Sequence, residues 1–474
     1  MWTLLRRIAH NAAHLGLDVY LVGGSLRDQI RGITPQDLDF VVASGASLLA
    51  QRVAQEHQAK VVLLDEERET LRVVLKDGLH LDFCLFKGAT LEEDLWARDF
   101  TINSLALPLH PHLPEETSWP DKLIDPTGGY ADLSYGLLRA TSHQAMLDDP
   151  LRVLRGIRLA AEYHLTLVPE TGVLLRQGGR RLADIAGERI WQELARLLSL
   201  PVAYPWVELM DREFQLWHQL IPGRLRMEET KQNYYHVENV WHHCLRTYRC
   251  LEAILQELPT LAEGHLVLKA LQQPLGGSKA RLPVLKLAAL IHDVGKPDTA
   301  KTQPGGRISF HGHSAAGLPY ASALADRLKL SNPERDYLLH LVRQHMQPLH
   351  HYTNRDHSVL ATYRLFRTLG QEAVDLLLLS LADLTATFTA GERLSELAPY
   401  RSFIRNLLQQ YFAHYRDWQP SKFFTGADLI KRGVPAGPLV GELLEKLAEA
   451  EITGEIKDLP SAQRWLDQYL KTRT

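Results

Sequence analysis

Cysteine is scarce: Cys84, Cys244 and Cys250 are the only three in 474 residues. None stands in a paired-thiol spacing and the number is odd, which excludes a disulfide framework and suits a reducing cytosol. An excess of charge of one sign is lacking too. Lysine and arginine total 53 against 56 aspartates and glutamates, a net charge of -3. Bulk charge therefore announces no nucleic-acid partner, and any such surface must be local. No apolar run reads as long enough to cross a bilayer. The N-terminal MWTLLRRIAHNAAHLGLDVYLVGG interrupts its apolar residues with His, Asn and Arg, and reads as a short helix running into a strand, not a signal peptide. Internal repeats and low-complexity tails are absent. What is present is globular: 45% hydrophobic and 23% charged residues, in a chain long enough for several domains. Histidine is abundant, with 22 residues, many of them in the second half.

Short runs rich in Val and Leu, bounded by turn residues, predict strands at 18–23 (DVYLVG), 37–42 (DLDFVV), 60–64 (KVVLL), 71–75 (LRVVL) and 79–85 (LHLDFCL). Between the second and third, ASLLAQRVAQEHQ has helical spacing. This first part reads as a mixed α/β unit with a small sheet, closed by the Pro- and Gly-rich loop HPHLPEETSWPDKLIDPTGGY. Beyond it helical periodicity dominates, as in LLRQGGRRLADIAGERIWQELARLL, KLAALIHDVG and DLLLLSLADLTA. Breaks fall near Pro201–Pro205, at LQQPLGGSKARLP (271–283) and near Trp418–Pro420.

The stretch YLVGGSLRDQIRGITPQDLDFVV (20–42) concentrates chemistry. Gly23 and Gly24 after a strand let the backbone approach a ligand and free N–H groups for phosphate oxygens, although a plain strand-to-helix turn uses the same pair. Arg27 can contact a phosphate or brace the site. Asp37 and Asp39, two apart on a strand, leave the same face. Two like charges held together favour a cation between them. Magnesium prefers such hard oxygens and shares them with substrate phosphates. Asp82, on a later strand, is either a third carboxylate of a two-metal site or an exposed strand residue. Further on, Pro150 suits the first turn of a helix and Asp149 its N-cap. Arg152, Arg155 and Arg158 share a broad face of that helix, while Leu151, Leu154 and Ile157 can form an apolar one. An Asp–Arg pair offers acceptors and donors side by side. Cytosine and adenine both present an amino donor beside a ring-nitrogen acceptor, so such a pair can read either.

These residues carry a resemblance. Gly23-Gly24-Ser25-Leu26-Arg27-Asp28, with Asp37-Leu38-Asp39 behind it, resembles the head of class II tRNA nucleotidyltransferases, the family of CCA-, CC- and A-adding enzymes and bacterial poly(A) polymerases. RDFTINSLAL (98–107), DPTGGYADL (125–133), DDPLRVLRGIRLAAEY (148–163) and ERIWQELARLL (188–198) match its later motifs in order. The resemblance implies an α+β fold: a small mixed-sheet, polymerase beta-like head, then an all-α neck, an HD domain and a helical tail. It implies that Asp37 and Asp39 are the catalytic carboxylates and hold Mg2+, with Gly23, Gly24, Arg27 and Arg98 at the nucleotide. Asp149 and Arg152 would act as a protein template that chooses C or A, and Arg155 and Arg158 would address the triphosphate. Asn103 is expected to hold the local backbone, and Arg189 and Glu193 to brace the neck helices. Asp148 stands where the family usually has Glu. The family's long Arg-rich loop between the later head strand and the second motif is missing. DFCLFKGATLEEDLWARDF passes almost directly from strand to motif, which resembles CC-adding members or a subgroup with other means of switching from CTP to ATP.

In the second half, VWHHCLRTYR places His242 and His243 on one helix, LIHDVGKP places His292 and Asp293 on another, and LADLTA adds Asp383. Such donors recurring on buried helices suit a divalent cation, whereas a lone His is more often a satisfied core residue. The His-Asp pair followed by Gly-Lys-Pro resembles the HD phosphohydrolase superfamily. That resemblance implies His243, His292, Asp293 and Asp383 as metal ligands, with His313 and His345 where binuclear members place further ones. A helical scaffold without metal is the alternative. TGADLIKRGVPAGPLVGELLEKLAEAEITGEI (425–456) resembles the tail block of nucleotidyltransferases that carry HD domains. Gly433 and Gly437-Pro438 break it into a hairpin, and Lys422, Lys431 and Arg432 are candidates for RNA phosphates.

The organisation expected is a head at 1–135, a neck at 136–230, an HD domain at 231–395 and a tail at 396–474. The activity implied is template-independent transfer of C and/or A from CTP and/or ATP to the 3′ end of tRNA, with the acceptor arm held by shape. A cytoplasmic location and no membrane partner go with it. The rivals are poly(A) synthesis, an HD phosphohydrolase with a nucleotide-sensing head, and a non-catalytic RNA-binding protein.

Overall fold

The computed structural model describes residues 1–111, 119–232, 238–276, 281–391, 393–416 and 423–471. Parts of the 110–130 loop and of the 271–283 break, the break at Trp418–Pro420, and Lys422 therefore lie outside the described residues. The chain forms two compact units, one of Met1–Leu197 with Leu209–Leu216 and one of Leu198–Glu208 with Trp217–Thr474.

The first unit begins with α1 (Trp2–His14), β1 (Val19–Val22), α2 (Gly24–Ile30), β2 (Asp37–Val42) and α3 (Ala46–His57). The ribbon β3 (Lys60–Asp65) and β4 (Thr70–Val74), then β5 (His80–Leu85), α4 (Leu91–Trp96) and β6 (Ala106–Leu109) complete the head. The sheet order is β3-β4-β5-β2-β1-β6, and only β2 and β5 pair in parallel. The two-residue period of a strand sorts its faces. Leu38, Phe40, Leu81 and Phe83 are buried in one core with Leu5, Ile8, Leu49 and Val53 from α1 and α3. Phe40 and Phe83 stack with ring centroids 4.9 Å apart. The alternate positions Asp37, Asp39, Asp82 and Cys84 must then leave the opposite face.

After the head come α5 (Gly129–Ser134), β7 (Leu137–Leu138), α6 (His143–Asp148), α7 (Arg152–Tyr163), β8 (Thr166–Leu167), α8 (Pro169–Gly179) and α9 (Gly187–Leu198). The helix α7 is buried along nearly its whole length. Gly156 permits this: a Cβ there would come within 2.7 Å of the Phe100 ring. The start of α7 is thereby pressed onto the Arg98–Phe100 segment, where Thr101 N–H bonds to Arg139 and Thr141 N–H to Asp99.

The second unit is helical, around Val240–Glu257, Arg281–Ile291, Asn332–Gln344 and Ala373–Ala390. One correction concerns hydropathy. Residues 359–390 are long and apolar enough by composition to cross a membrane, contrary to the sequence expectation, but 67% of the apolar window is buried inside the unit. That is the behaviour of a core helix, hydrophobic all round because protein surrounds it. The tail hairpin forms as expected. Helices Gly426–Lys431 and Pro438–Ile452, with Leu459–Lys471, share a core of Leu429, Leu443, Leu447 and Leu466, and Lys431 and Arg432 are exposed.

Candidate functional site

A cavity of about 430 Å³ opens on the polar face of the head sheet, lined by Gly23, Gly24, Asp39, Arg98 and Arg152 among others. Gly23 has φ +79°, and a Cβ there would sit 3.1 Å from Asp39 Oδ2 and 3.4 Å from Arg98 Nη1. Any side chain would fill the gap between the carboxylate and the guanidinium, which is the physical reason for glycine. Asp39 is part-buried, and among the described residues no hydrogen bond or ion pair engages its carboxylate. Burial pushes its pKa up to about 6; Arg98 opposes the shift, and Asp82 and Asp37 add to it. A carboxylate so placed is short of positive charge. Asp37 leaves the same strand face but is 52% exposed, with Oδ1 3.0 Å from His80 Nδ1. Asp82 pairs in register with Asp39 across β2 and β5, yet both its oxygens accept from Arg72, at 2.8 and 2.7 Å.

The arginines divide by what they hold. Arg98 donates to Asp94 Oδ2 through Nε and Nη2, at 3.0 and 2.8 Å. Arg152 is buried, and its Nη groups donate to the carbonyls of Ala145, Ala97 and Arg98. Its Nε is buried without a partner. Unsatisfied buried donors of this kind are rare in folded proteins, and Arg152 is one of the residues that line the cavity. Arg155 and Arg158 both clamp Glu193, at 3.0 and 2.6 Å, and Arg155 also reaches Asp99 at 3.2 Å. Arg27 lines the cavity, but its donors are spent on Asp28, Asn103 and Tyr163, and its guanidinium lies 4.2 Å over the Tyr163 ring. Asn103 holds side chains more than backbone: it accepts from Arg27 at 2.6 Å and donates to Asp99 at 3.0 Å. Asp149 caps the turn before α7, with Oδ1 accepting from the Leu151 N–H. Its Oδ2 accepts from Arg189 at 2.7 Å, so Arg189 grips Asp149 itself, and Asp149 does not line the cavity with Arg152. Sequence reasoning missed Lys87, Arg68, Asp94 and Asp99, the first two because isolated surface cations carry no motif.

The expected histidines and aspartates of the second unit converge. His243, His292 and Asp383 form one group able to hold a cation, and Asp293, His313 and His345 another. Distances of 2.9 Å from His243 to Asp383, 3.3 Å from His292 to Asp293 and 3.1 Å from His313 to Asp293 hold them together. The Nδ1 atoms of His292, His313 and His345 lie 2.9–3.0 Å from the carbonyls of Ala289, Phe310 and Val342. Their Nε2 atoms therefore face the centre, that of His292 lying between Asp293 at 3.3 Å and Asp383 at 3.8 Å. Carbonyl-anchored imidazoles turned onto carboxylates are the supporting arrangement of metal ligands. Burial pushes Asp383 up, but the hydrogen bond and charge of His243 and the charge of His292 outweigh it and hold the carboxyl well below its usual range. Lys296 Nζ sits 2.6 Å from Asp293 and 2.8 Å from Gln232.

A carboxylate-bearing sheet facing a wall of arginines, together with a His/Asp centre on a helical unit, defines a nucleotidyltransferase head joined to an HD domain. The poly A polymerase head domain family matches residues 19–139, the HD domain family 240–386, and the probable RNA and SrmB-binding site of polymerase A 164–226. An A-adding tRNA nucleotidyltransferase of Deinococcus radiodurans is 31% identical over 94% of this chain and 95% of its own. A CC-adding tRNA nucleotidyltransferase of Synechocystis sp. is 29% identical over 99% and 98%. The chain belongs to the tRNA nucleotidyltransferase family. In fold it matches a Thermotoga maritima CCA-adding enzyme complexed with tRNA, with TM-score 0.63 and 21% identity over 98% of this chain and 95% of that one. Head and HD domains of these kinds depend on divalent metals.

Proposed function

We propose that the protein extends the 3′ end of tRNA without a nucleic-acid template, adding C and/or A from CTP and/or ATP. The observation that carries this is a single cavity lined by both an unpaired carboxylate, Asp39, and the buried guanidinium of Arg152. The short connection at residues 86–90, between β5 and α4, favours CC addition over complete CCA synthesis.

Asp37 and Asp39 are the fitting ligands for Mg2+, because they leave the same strand face and Asp39 is part-buried with no hydrogen bond or ion pair on its carboxylate among the described residues. Mg2+ bound there polarises the attacking hydroxyl and neutralises charge on the triphosphate. The chain's own residues do the rest. The Gly23–Gly24 turn leaves room for phosphate beside Asp39. Arg98, steadied by Asp94, offers its remaining donor to the same space. Arg152 presents a donor to the base, and Asp149 supplies the matching acceptor once it leaves Arg189. Arg155 and Arg158, clamped on Glu193, hold the α7 face in place and add positive charge toward the triphosphate. The four-part division into head (1–135), neck (136–230), HD domain (231–395) and tail (396–474) assigns this chemistry to the head and neck. It leaves the tail's exposed Lys431 and Arg432 to RNA phosphates, and a tRNA substrate goes with a cytoplasmic location. The HD centre supports a second reading, a divalent cation held by His243, His292, Asp293 and Asp383 that hydrolyses phosphate esters.

The test uses tRNA transcripts ending before CCA, after C and after CC, each with labelled CTP or ATP. Incorporation of C on the first two and none of A on the third supports CC addition. Long A ladders on any RNA mean poly(A) synthesis, and no incorporation on any primer overturns the transferase reading.

A further inference from the structure

The β5–α4 connection is short because it is tied down. Gly88 has φ +105°, and a Cβ there would lie 2.6 Å from Glu93 Oε2. That carboxylate folds back over the turn and accepts from the Ala89 N–H at 2.6 Å. Thr90 caps α4 through the Glu93 N–H. Asp94, buried on the same helix, accepts from the Lys87 N–H at 2.9 Å with one oxygen and from Arg98 with the other. One carboxylate thus sets the backbone of Lys87 and the guanidinium of Arg98 together. With the Lys87 and Ala89 N–H groups held by α4 and the Phe86 N–H by the Val42 carbonyl, the turn is fixed at three points, so its side chains have defined directions.

Lys87 is the cation this turn delivers to the cavity wall. It is part-buried, and among the described residues no hydrogen bond or ion pair engages its ammonium. Burial lowers its pKa, and Arg152, Arg68 and Arg98 push the same way. The nearest carboxylate, Asp94, is already spent on Arg98. Arg68, exposed at the β3–β4 turn, lines the same cavity. Of the carboxylates that line the cavity with these cations, Asp94, Asp99 and Glu193 are engaged by Arg98, Arg155 and Arg158, which leaves the Lys87 ammonium to a multiply charged anion.

We propose that Lys87 binds the β- and γ-phosphates of the incoming nucleoside triphosphate and then the departing pyrophosphate. This rests on the nucleotidyltransferase reading of the cavity but assigns a group no motif marks. Each tail phosphate presents oxygens to a three-donor ammonium, and a charge-assisted contact of this kind adds affinity for the polyphosphate without touching the base. The tight turn takes the place of a mobile arm: its cation is already in position before the nucleotide arrives.

The experiment measures binding of inorganic pyrophosphate, CTP and CMP to the full-length protein with Mg2+, for wild type, Lys87→Gln and Lys87→Arg, by titration calorimetry. Lys87→Gln is expected to weaken pyrophosphate and CTP about tenfold and to leave CMP unchanged, with Lys87→Arg restoring most of the loss. Unchanged pyrophosphate affinity in Lys87→Gln, an equal loss for CMP, or no pyrophosphate binding by the wild type overturns the proposal. A melting curve for each variant separates misfolding from a lost contact. Incorporation of CTP into tRNA by the wild type is scored separately, so a failed transferase reading is distinguishable from a failed role for Lys87.

Discussion

Asp39 and Asp82 stand directly opposite each other on parallel strands, and the protein neutralises only one of them. Arg72 takes both oxygens of Asp82, while Asp39 faces the cavity with its pKa raised to about 6. The two are therefore not equivalent ligands. Asp82→Asn is expected to lower nucleotide incorporation by less than about tenfold, because it removes one half of a part-exposed ion pair. Arg72→Ala is expected to be worse, since it leaves a second bare carboxylate beside Asp39. Single-turnover incorporation by the two variants checks the ranking, and the reverse order makes Asp82 a metal ligand.

Arg152 is held by three carbonyls with its Nε left without a partner, which is a way to aim a guanidinium rather than to neutralise it. Arg152→Ala is expected to reduce discrimination between C and the wrong bases by about tenfold or more, with tRNA affinity little changed. Competition among the four triphosphates measures it, and an unaltered base preference contradicts the template role.

The HD centre is packed from helices of the second unit alone. Replacing His292 and Asp293 together by alanine is expected to remove bound divalent metal while changing nucleotide incorporation by no more than about twofold, since neither residue lines the head cavity. Metal analysis of the purified proteins checks the first half. Equal metal content in both proteins removes this centre from consideration.

Glu449 gives a pH signature. The hydrogen bond from Arg364, with Lys446 assisting, outweighs burial and lowers its pKa from 4.5 to about 2. Because the folded value is the lower one, the contribution is fully present above the unfolded value and is lost as pH falls toward about 2. Glu449→Gln should cost about 2 kcal/mol at neutral pH, and the gap to wild type should narrow at pH 3. Urea melts at the two pH values measure it, and a gap equal at both rules the pairing out.

Much of this was legible in the amino-acid order, for physical reasons that differ by place. Strands β1 to β5 declare themselves by β-branched runs between turns. The strand β6 (Ala106–Leu109) does not, because Pro108 breaks its pattern; it is tolerated there since β6 is the edge strand beside β1 and its outward bridge, to Ile124, is made at Ala106. The His/Asp ligands could be named because a metal-ligand set fixes residue types, and the structure gathers them all. Arg27 and Asp149 were harder. Arg27 does pair with its neighbour Asp28, but its other partners, Asn103 and Tyr163, and Asp149's partner Arg189 come from elements far along the chain. Sequence spacing contains no trace of which of several nearby charges wins such a contact. Lys87 was invisible for the opposite reason: its position depends on Glu93 and Asp94 closing a turn that spacing alone leaves undefined.

The central claim is that Asp39 carries the catalytic metal chemistry, and the most direct measurement is single-turnover transfer from labelled CTP to a tRNA transcript lacking CCA, with Mg2+, for wild type and Asp39→Asn. The account predicts transfer by the wild type and a loss of at least about a thousandfold in the variant, with its melting curve intact. Transfer by Asp39→Asn at the wild-type rate would contradict it.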